Sequence, residues 1–223
     1  MANYRLKILE KEPLTHDVNR FKLEKPRGFQ FTPGQATEVS LLKAGWEAEK
    51  RPFTFTSLPS DDYLEFTIKS YNGHEGVTKR LGNAEVGDEL EIGDAWGTIS
   101  FQGEGVFIAG GAGITPFIAI LRYLRKKNKI GNSMLVFANK TNDDIILYEE
   151  LKAILGHKFF NIISDQKDTA YDKGLINKTY LKDKIGHFDH QHFYVCGPGG
   201  FMKAVMGALK DLGANPEALV FER

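Results

Sequence analysis

The chain has 223 residues, 42% of them hydrophobic, and its 29 Lys plus Arg balance 29 Asp plus Glu to a formal net charge of zero. That length suits one large domain or two of moderate size, and the charge balance argues against non-specific nucleic-acid binding, which depends on excess positive charge. Cys196 is the only cysteine, so neither an internal disulfide nor a four-cysteine iron–sulfur cluster can form within the chain.

Residues 1–5 open no signal-peptide core, and no apolar run approaches the roughly 20 residues that cross a bilayer. A cytoplasmic protein without membrane contact is expected. Up to about Phe101 the chain reads as short strands broken by Gly, Pro and Asp. Tyr4–Leu9 and Arg20–Leu23 alternate apolar and polar residues, and Ala36–Leu42 is a further strand candidate. Arg51-Pro52-Phe53-Thr54-Phe55-Thr56-Ser57 is rich in strand formers. Pro52 biases Arg51 toward extended backbone and asks for a place where no ladder donor is required. Alternation puts Arg51, Phe53 and Phe55 on one face and Pro52, Thr54 and Thr56 on the other. Alone, the segment reads equally as a half-buried strand or as a wall offering a cation, aromatic faces and hydroxyls to a ligand. Tyr63–Lys69 and Glu89–Ile92 complete the strands, with a short helix at Val77–Leu81 entered through Gly76. Strands at this spacing predict an antiparallel barrel or sandwich over residues 1–101.

After Phe101 the rhythm changes, and residues 102–223 read as a second domain. Val106–Ala109 is a continuous apolar run, as in a strand buried on both faces. Pro116–Asn128 follows with Phe117, Ile120, Leu121 and Leu124 on one helical stripe. Further strands are expected at Met134–Ala138, Phe159–Ser164, Phe193–Cys196 and Leu219–Phe221, with helices at Leu147–Leu155, Leu175–Ile185 and Gly200–Leu212. Such alternation predicts an α/β domain with a parallel sheet. His187, His190 and His192 lie close together but are read as a polar loop before a strand, and no metal site is expected.

Two glycine-rich turns join strand to helix. Gly110-Gly111-Ala112-Gly113-Ile114-Thr115-Pro116 lets the backbone turn tightly and approach a ligand. The helix start behind it offers unpaired amides and partial positive charge to a phosphate, and Pro116 costs nothing in the first turn. Such a glycine string is weak evidence alone, and a bare strand-to-helix connection is the competing account. Val195-Cys196-Gly197-Pro198-Gly199-Gly200 repeats the pattern at a later strand. In an open parallel sheet, ligands bind beyond the carboxyl ends of strands where strand order reverses. Cys196 is interesting for that position, since a lone cysteine is otherwise most often a small buried apolar residue.

Together these segments resemble the ferredoxin–NADP reductase superfamily, in particular its bacterial flavodoxin-reductase-like members. Arg51-Pro52-Phe53-Thr54, Gly76-Val77-Thr78, Gly111-Ala112-Gly113-Ile114-Thr115-Pro116 and Cys196-Gly197-Pro198 carry the resemblance over nearly the whole chain. It implies a FAD-binding barrel followed by a nicotinamide-binding domain. Arg51 would grip the pyrophosphate, with Pro52 and Phe53 packing on the flavin and ribityl region, and Thr54 would face flavin N5. Lys69 and the amides of Gly76, Val77 and Thr78 would belong to the same site, the second phosphate grip favouring FAD over FMN. Phe53 stands where the family usually has tyrosine, so a phenolic hydrogen bond is missing. Gly111, Gly113, Ile114, Thr115 and Pro116 would form the nicotinamide dinucleotide turn. Cys196, with Gly197 and Pro198, would lie near the nicotinamide, and Glu222 matches an acidic position late in the family. Relatives often cover the flavin with a terminal aromatic; here the sequence ends at Arg223, and Phe221 is read as a strand residue.

Ser164-Asp165 follows the third strand of the second domain, where NADPH-using relatives often place an arginine. A carboxylate there repels a 2′-phosphate and can accept from a ribose diol, so NADH is favoured over NADPH. Thr54, Cys196 and Glu222 are the expected catalytic positions. The expected activity is hydride transfer from NADH or NADPH to FAD, then single electrons to a flavodoxin or ferredoxin, by a monomer. Alternatives are a diaphorase or free-flavin reductase, and a low-turnover flavin sensor or electron-transfer subunit.

Overall fold

Alternating residues become the two faces of two sheets in the computed structural model, which describes residues 3–71, 73, 75–97, 99–215 and 219–221, with backbone alone at 219 and 221. The first sheet holds β1 (Tyr4–Pro13), β2 (Val18–Glu24), β3 (Ala36–Leu41), β4 (Arg51–Thr54), β5 (Tyr63–Lys69) and β6 (Glu89–Ile92), in the antiparallel order β4-β3-β6-β1-β2-β5. β1 runs further than the Tyr4–Leu9 expected because a register shift between Ile8 and Glu10 bends it onward along β2. The two edge strands meet at the bridge Phe55–Phe66 and at Thr56 N–H, which donates to Glu65 O at 2.8 Å. The sheet is therefore a nearly closed barrel. Inward residues pack a ring cluster in which Phe55 lies 4.5 Å from Phe31, 5.6 Å from Phe29 and 5.1 Å from Phe66, centroid to centroid. Pro52 falls on edge strand β4, as its missing amide hydrogen requires.

The second sheet is parallel, in the order β10-β9-β8-β7-β11-β12. It comprises β7 (Gly105–Gly110), β8 (Met134–Asn139), β9 (Phe159–Ile163), the two-residue β10 (Asp172–Lys173), β11 (His192–Cys196) and β12 (Leu219–Phe221). Phe107 and Ala109 face one layer with α2 (Thr115–Lys126) and α3 (Tyr148–Leu155). Val106 and Ile108 face the other with α4 (Lys178–Lys184) and α5 (Gly199–Asp211). This is the expected α/β layering. Helix α4 starts three residues later than Leu175 because Asn177 caps it, its side chain accepting from Tyr180 N–H at 2.9 Å. Helix α2 stops before Asn128, which adopts φ +54°. Val18 and Ile99 join the core beside α2, so that helix is packed between the parallel sheet and the barrel. Tyr194 ties down the connection: its hydroxyl accepts from Gln102 and Gly103 N–H at 2.9 and 3.0 Å and donates to Gly103 O at 2.7 Å. Among the described residues no helix is long and apolar enough to cross a membrane.

Candidate active site

The barrel's seam opens where the site lies. Phe55, the residue just past β4, makes an isolated antiparallel bridge to Phe66 of β5. Continuing that antiparallel ladder would set Thr54, Phe53 and Pro52 opposite Thr67, Ile68 and Lys69. Instead these two triplets part and form facing lips of a crevice of about 440 Å³. Arg51, Tyr71, Glu75 and the start of α1 (Val77–Gly82) extend the same wall, and Ala112, Thr115 and Cys196 close it from the parallel sheet.

Geometry explains why glycine stands in the two turns. The order of the parallel sheet reverses between β7 and β11, whose ends pair at Ala109–Cys196, so both turns open at one switch point. Gly111 holds φ +52°, a conformation that disfavours L side chains. At Gly113 a Cβ would come within 2.3 Å of Cys196 O and 2.7 Å of Gly197 Cα, so the turns touch backbone to backbone. The Phe201 ring wedges against Gly110 and Gly197. The turn after β7 winds as a 3-10 turn (Gly111–Ile114) into α2, which has Pro116 in its first turn, no acidic residue there and no side-chain cap. Thr115 Oγ1 donates to Ala112 O at 3.1 Å, bracing the turn.

Arg51, Pro52, Phe53, Thr54, Lys69, Gly76, Val77, Thr78, Thr115 and Cys196 all line the crevice. Arg51 is exposed, its guanidinium resting on Lys50 O at 2.7 Å and Glu49 at 3.6 Å. Phe53 packs one side on the barrel core, and the Thr54 hydroxyl has no hydrogen-bond partner among the described residues. Ile114 and Pro116 are buried and shape the turn by packing. Gly111 and Gly113 set its backbone, and Gly197 and Pro198 lead into α5. Ser164 and Asp165 sit exposed beyond β9, outside the crevice, with Ser164 Oγ donating to Asp165 at 2.6 Å. Glu222 lies outside the described residues. Thr67, Ile68, Tyr71 and Glu75 are not singled out from sequence, and Ala112 stands in the glycine-rich motif there without a role of its own. The β5 residues among them could have been found only by pairing β5 with β4.

Charged groups tie the two sheets together on either side of α2. Lys69 Nζ meets Asp17 at 2.9 Å and Asp144 of the second domain at 3.8 Å. Burial pushes the Asp144 carboxyl up, but hydrogen bonds from Thr141 and the charge of Lys69 outweigh it and hold the group below its usual range. Arg122 of α2 reaches into the barrel to Glu65 at 2.6 Å and Thr56 O at 2.8 Å, while pairing at two points with Glu150. Glu65 is only 1% exposed.

The FAD-binding domain model matches residues 3–92 and the oxidoreductase NAD-binding domain model residues 107–207. NADH-cytochrome b5 reductase 2 of Aspergillus oryzae is 30% identical over 248 residues, covering 95% of this chain and 75% of that protein. The reductase component of propane 2-monooxygenase from Mycolicibacterium goodii is 26% identical, over 99% of this chain and 67% of its own. The chain thus spans about two thirds of that relative. Among solved structures, the CS-b5R domains of human Ncb5or in the NAD+ form superpose with a TM-score of 0.87 at 25% identity, covering 100% of this chain and 70% of that one.

Proposed function

This chain belongs to the ferredoxin–NADP reductase superfamily of FAD- and nicotinamide-binding oxidoreductases, and from that premise we propose that it carries electrons from NADH through FAD in the crevice to a separate redox protein. Bound flavin and nicotinamide supply the hydride and single-electron chemistry; the protein's task is to hold the two rings in reach. The observation that carries the reading is the composition of one crevice. A forked cation, a helix start and a hydroxyl from the barrel face the phosphate turn and Cys196 of the parallel sheet.

On this reading Arg51 leaves its weak contacts with Glu49 and Lys50 to grip a pyrophosphate, which its planar fork suits. The uncapped first turn of α1, Gly76 to Thr78, adds amides, and Phe53 packs against the flavin. Thr54 is a positioning and proton-sharing group, because a hydroxyl donates to an unprotonated N5 and accepts from a protonated one. Gly111, Gly113 and Thr115 shape the seat for the nicotinamide dinucleotide, with Cys196 at its inner end. Asp165 beyond β9 supports NADH, since its charge opposes a 2′-phosphate. The single cysteine provides no iron–sulfur relay within these 223 residues. A flavodoxin or ferredoxin is the acceptor we propose; relatives named as the reductase component of a monooxygenase and as a cytochrome b5 reductase support a protein acceptor without naming that carrier.

The test is the visible spectrum of purified protein before and after anaerobic NADH, followed by turnover with flavodoxins, ferredoxins and free flavin. Flavin bleaching, faster with NADH than NADPH, and acceleration by a protein carrier are expected. A colourless protein that takes up no flavin on reconstitution would sink the reading. Turnover with free flavin alone would replace the protein acceptor.

A further inference from the structure

We propose that Arg122 is a positioning residue for hydride transfer, setting the nicotinamide turn at a fixed height over the flavin-binding lip. This rests on the function proposed above. Arg122 lies seven residues beyond Thr115 on α2, about 10 Å down the axis at about 1.5 Å per residue. The start of this rigid rod thus stands at the crevice, while the Arg122 side chain further along it reaches into the barrel.

The grip is directional. Nη1 donates both to Thr56 O at 2.8 Å and to Glu65 Oε1 at 2.6 Å. Nε and Nη2 donate to the two oxygens of Glu150 on α3, at 2.6 and 2.8 Å. All three guanidinium nitrogens are engaged, so sliding α2 along the barrel breaks both Nη1 bonds at once. What it holds on the barrel side is the segment that builds the site. Thr56 follows Thr54 by two residues, and its hydroxyl donates to Glu65 at 2.7 Å and lies 3.3 Å from that of Thr67, on the opposite lip. Arg122 therefore clasps both lips just below the point where they part.

A buried ion pair is a poor way to gain stability, because desolvation consumes most of its attraction. Its distinctive product is a defined geometry, and hydride transfer is sensitive to geometry at the scale of about 1 Å. The other side-chain ties described between the sheets are looser or more exposed: Lys69 and His16 to Asp144 at 3.8 and 4.0 Å, and Lys126 to Ser60 at the surface. Burial opposes the charge of Arg122, but its two carboxylates outweigh that and hold it protonated above its ordinary range.

The experiment compares FAD-loaded parent, Arg122→Lys, and the double variant Arg122→Gln with Glu65→Gln by anaerobic rapid mixing with NADH. Arg122→Lys keeps a charge beside Glu65 and so keeps the fold, while losing the fork. Expected is a fall of roughly 10- to 100-fold in the limiting rate of flavin reduction. FAD content and the half-saturating NADH concentration should stay within about twofold. The long-wavelength charge-transfer absorbance, which reports stacking of nicotinamide on flavin, should weaken in parallel. A limiting rate and band unchanged in Arg122→Lys would overturn the proposal, as would a rate that falls only in step with lost FAD. A parent that neither nucleotide reduces would instead overturn the function on which it rests.

Discussion

Gly113→Ala tests the meeting of the two glycine turns most directly. The new Cβ would stand 2.3 Å from Cys196 O and 2.5 Å from Cys196 C, against an ordinary contact of 3.4 Å or more. The shortfall is about 1 Å, and both obstacles are backbone, so no side chain can swing away. Because β7 and β11 are neighbours in the sheet, relief must come from prising the turns apart. Overpacking of this kind costs about 2 kcal/mol, and for a chain of this size that lowers Tm by about 4–8 °C. A displacement of about 1 Å at the nicotinamide seat should also slow flavin reduction by up to roughly 100-fold. Thermal melts of the FAD-loaded protein and anaerobic rapid mixing with NADH measure the two effects. Gly111→Ala meets no atom within 4 Å but must hold φ +52°, a strain of about 1–2 kcal/mol. Gly199→Ala meets neither obstacle and should stay within about 0.5 kcal/mol of the parent. If Gly113→Ala melted and reduced like Gly199→Ala, the argument from close approach would fail.

Arg51→Ala should weaken FAD retention by roughly 10- to 100-fold, the worth of one charge-assisted contact to a phosphate; equilibrium dialysis that shows unchanged flavin content would refute that role. Thr54→Ala removes a hydroxyl but no phosphate contact, so FAD should remain bound while reduction by NADH slows, and unchanged reduction kinetics would clear Thr54 of any part. Burial pushes the Glu150 carboxyl up, but the hydrogen bonds and charge of Arg122 outweigh it and leave the group below its usual range. A depressed carboxylate contributes its stability in full above its unfolded value and loses it as pH falls through the folded one. Urea midpoints at about pH 7 and pH 4 should therefore differ less in Glu150→Gln than in the parent, and an equal difference would show that the pair is not linked to folding.

Local chemistry was the legible part of this molecule. Period-two runs such as Tyr63–Lys69, the apolar run at Val106–Ala109 and the turn through Gly113 to Pro116 each announce their element from neighbours in sequence, and the layering follows. Even α4's late start was readable, since Asn177 is a good cap three residues before Tyr180. What depends on register between distant strands was not. Thr67, Ile68 and Lys69 become a lip of the crevice only because β5 meets β4 at one bridge and then leaves it. Glu65 alternates with Leu64 and Phe66 as a solvent-facing residue should, yet it is buried because α2 lies across that face. Arg122 likewise reads as part of a solvated basic helix end beside Arg125, Lys126 and Lys127. Motif reading also mixes two kinds of residue. Ile114 and Pro116 belong to the phosphate-turn pattern for their packing, whereas Thr115 beside them lines the crevice.

A barrel that unzips past Phe55 and Phe66 leaves β4 with an outer rim of peptide groups that no strand covers. Rims of that kind invite a foreign strand, and proteins that keep them usually shorten, charge or shield them. Here the rim is four residues long, begins at a charged arginine and contains a proline, and a ligand lodged in the gap would complete its protection. The cofactor would then act as a plug as well as a redox group, and flavin-depleted protein is the form that should self-associate.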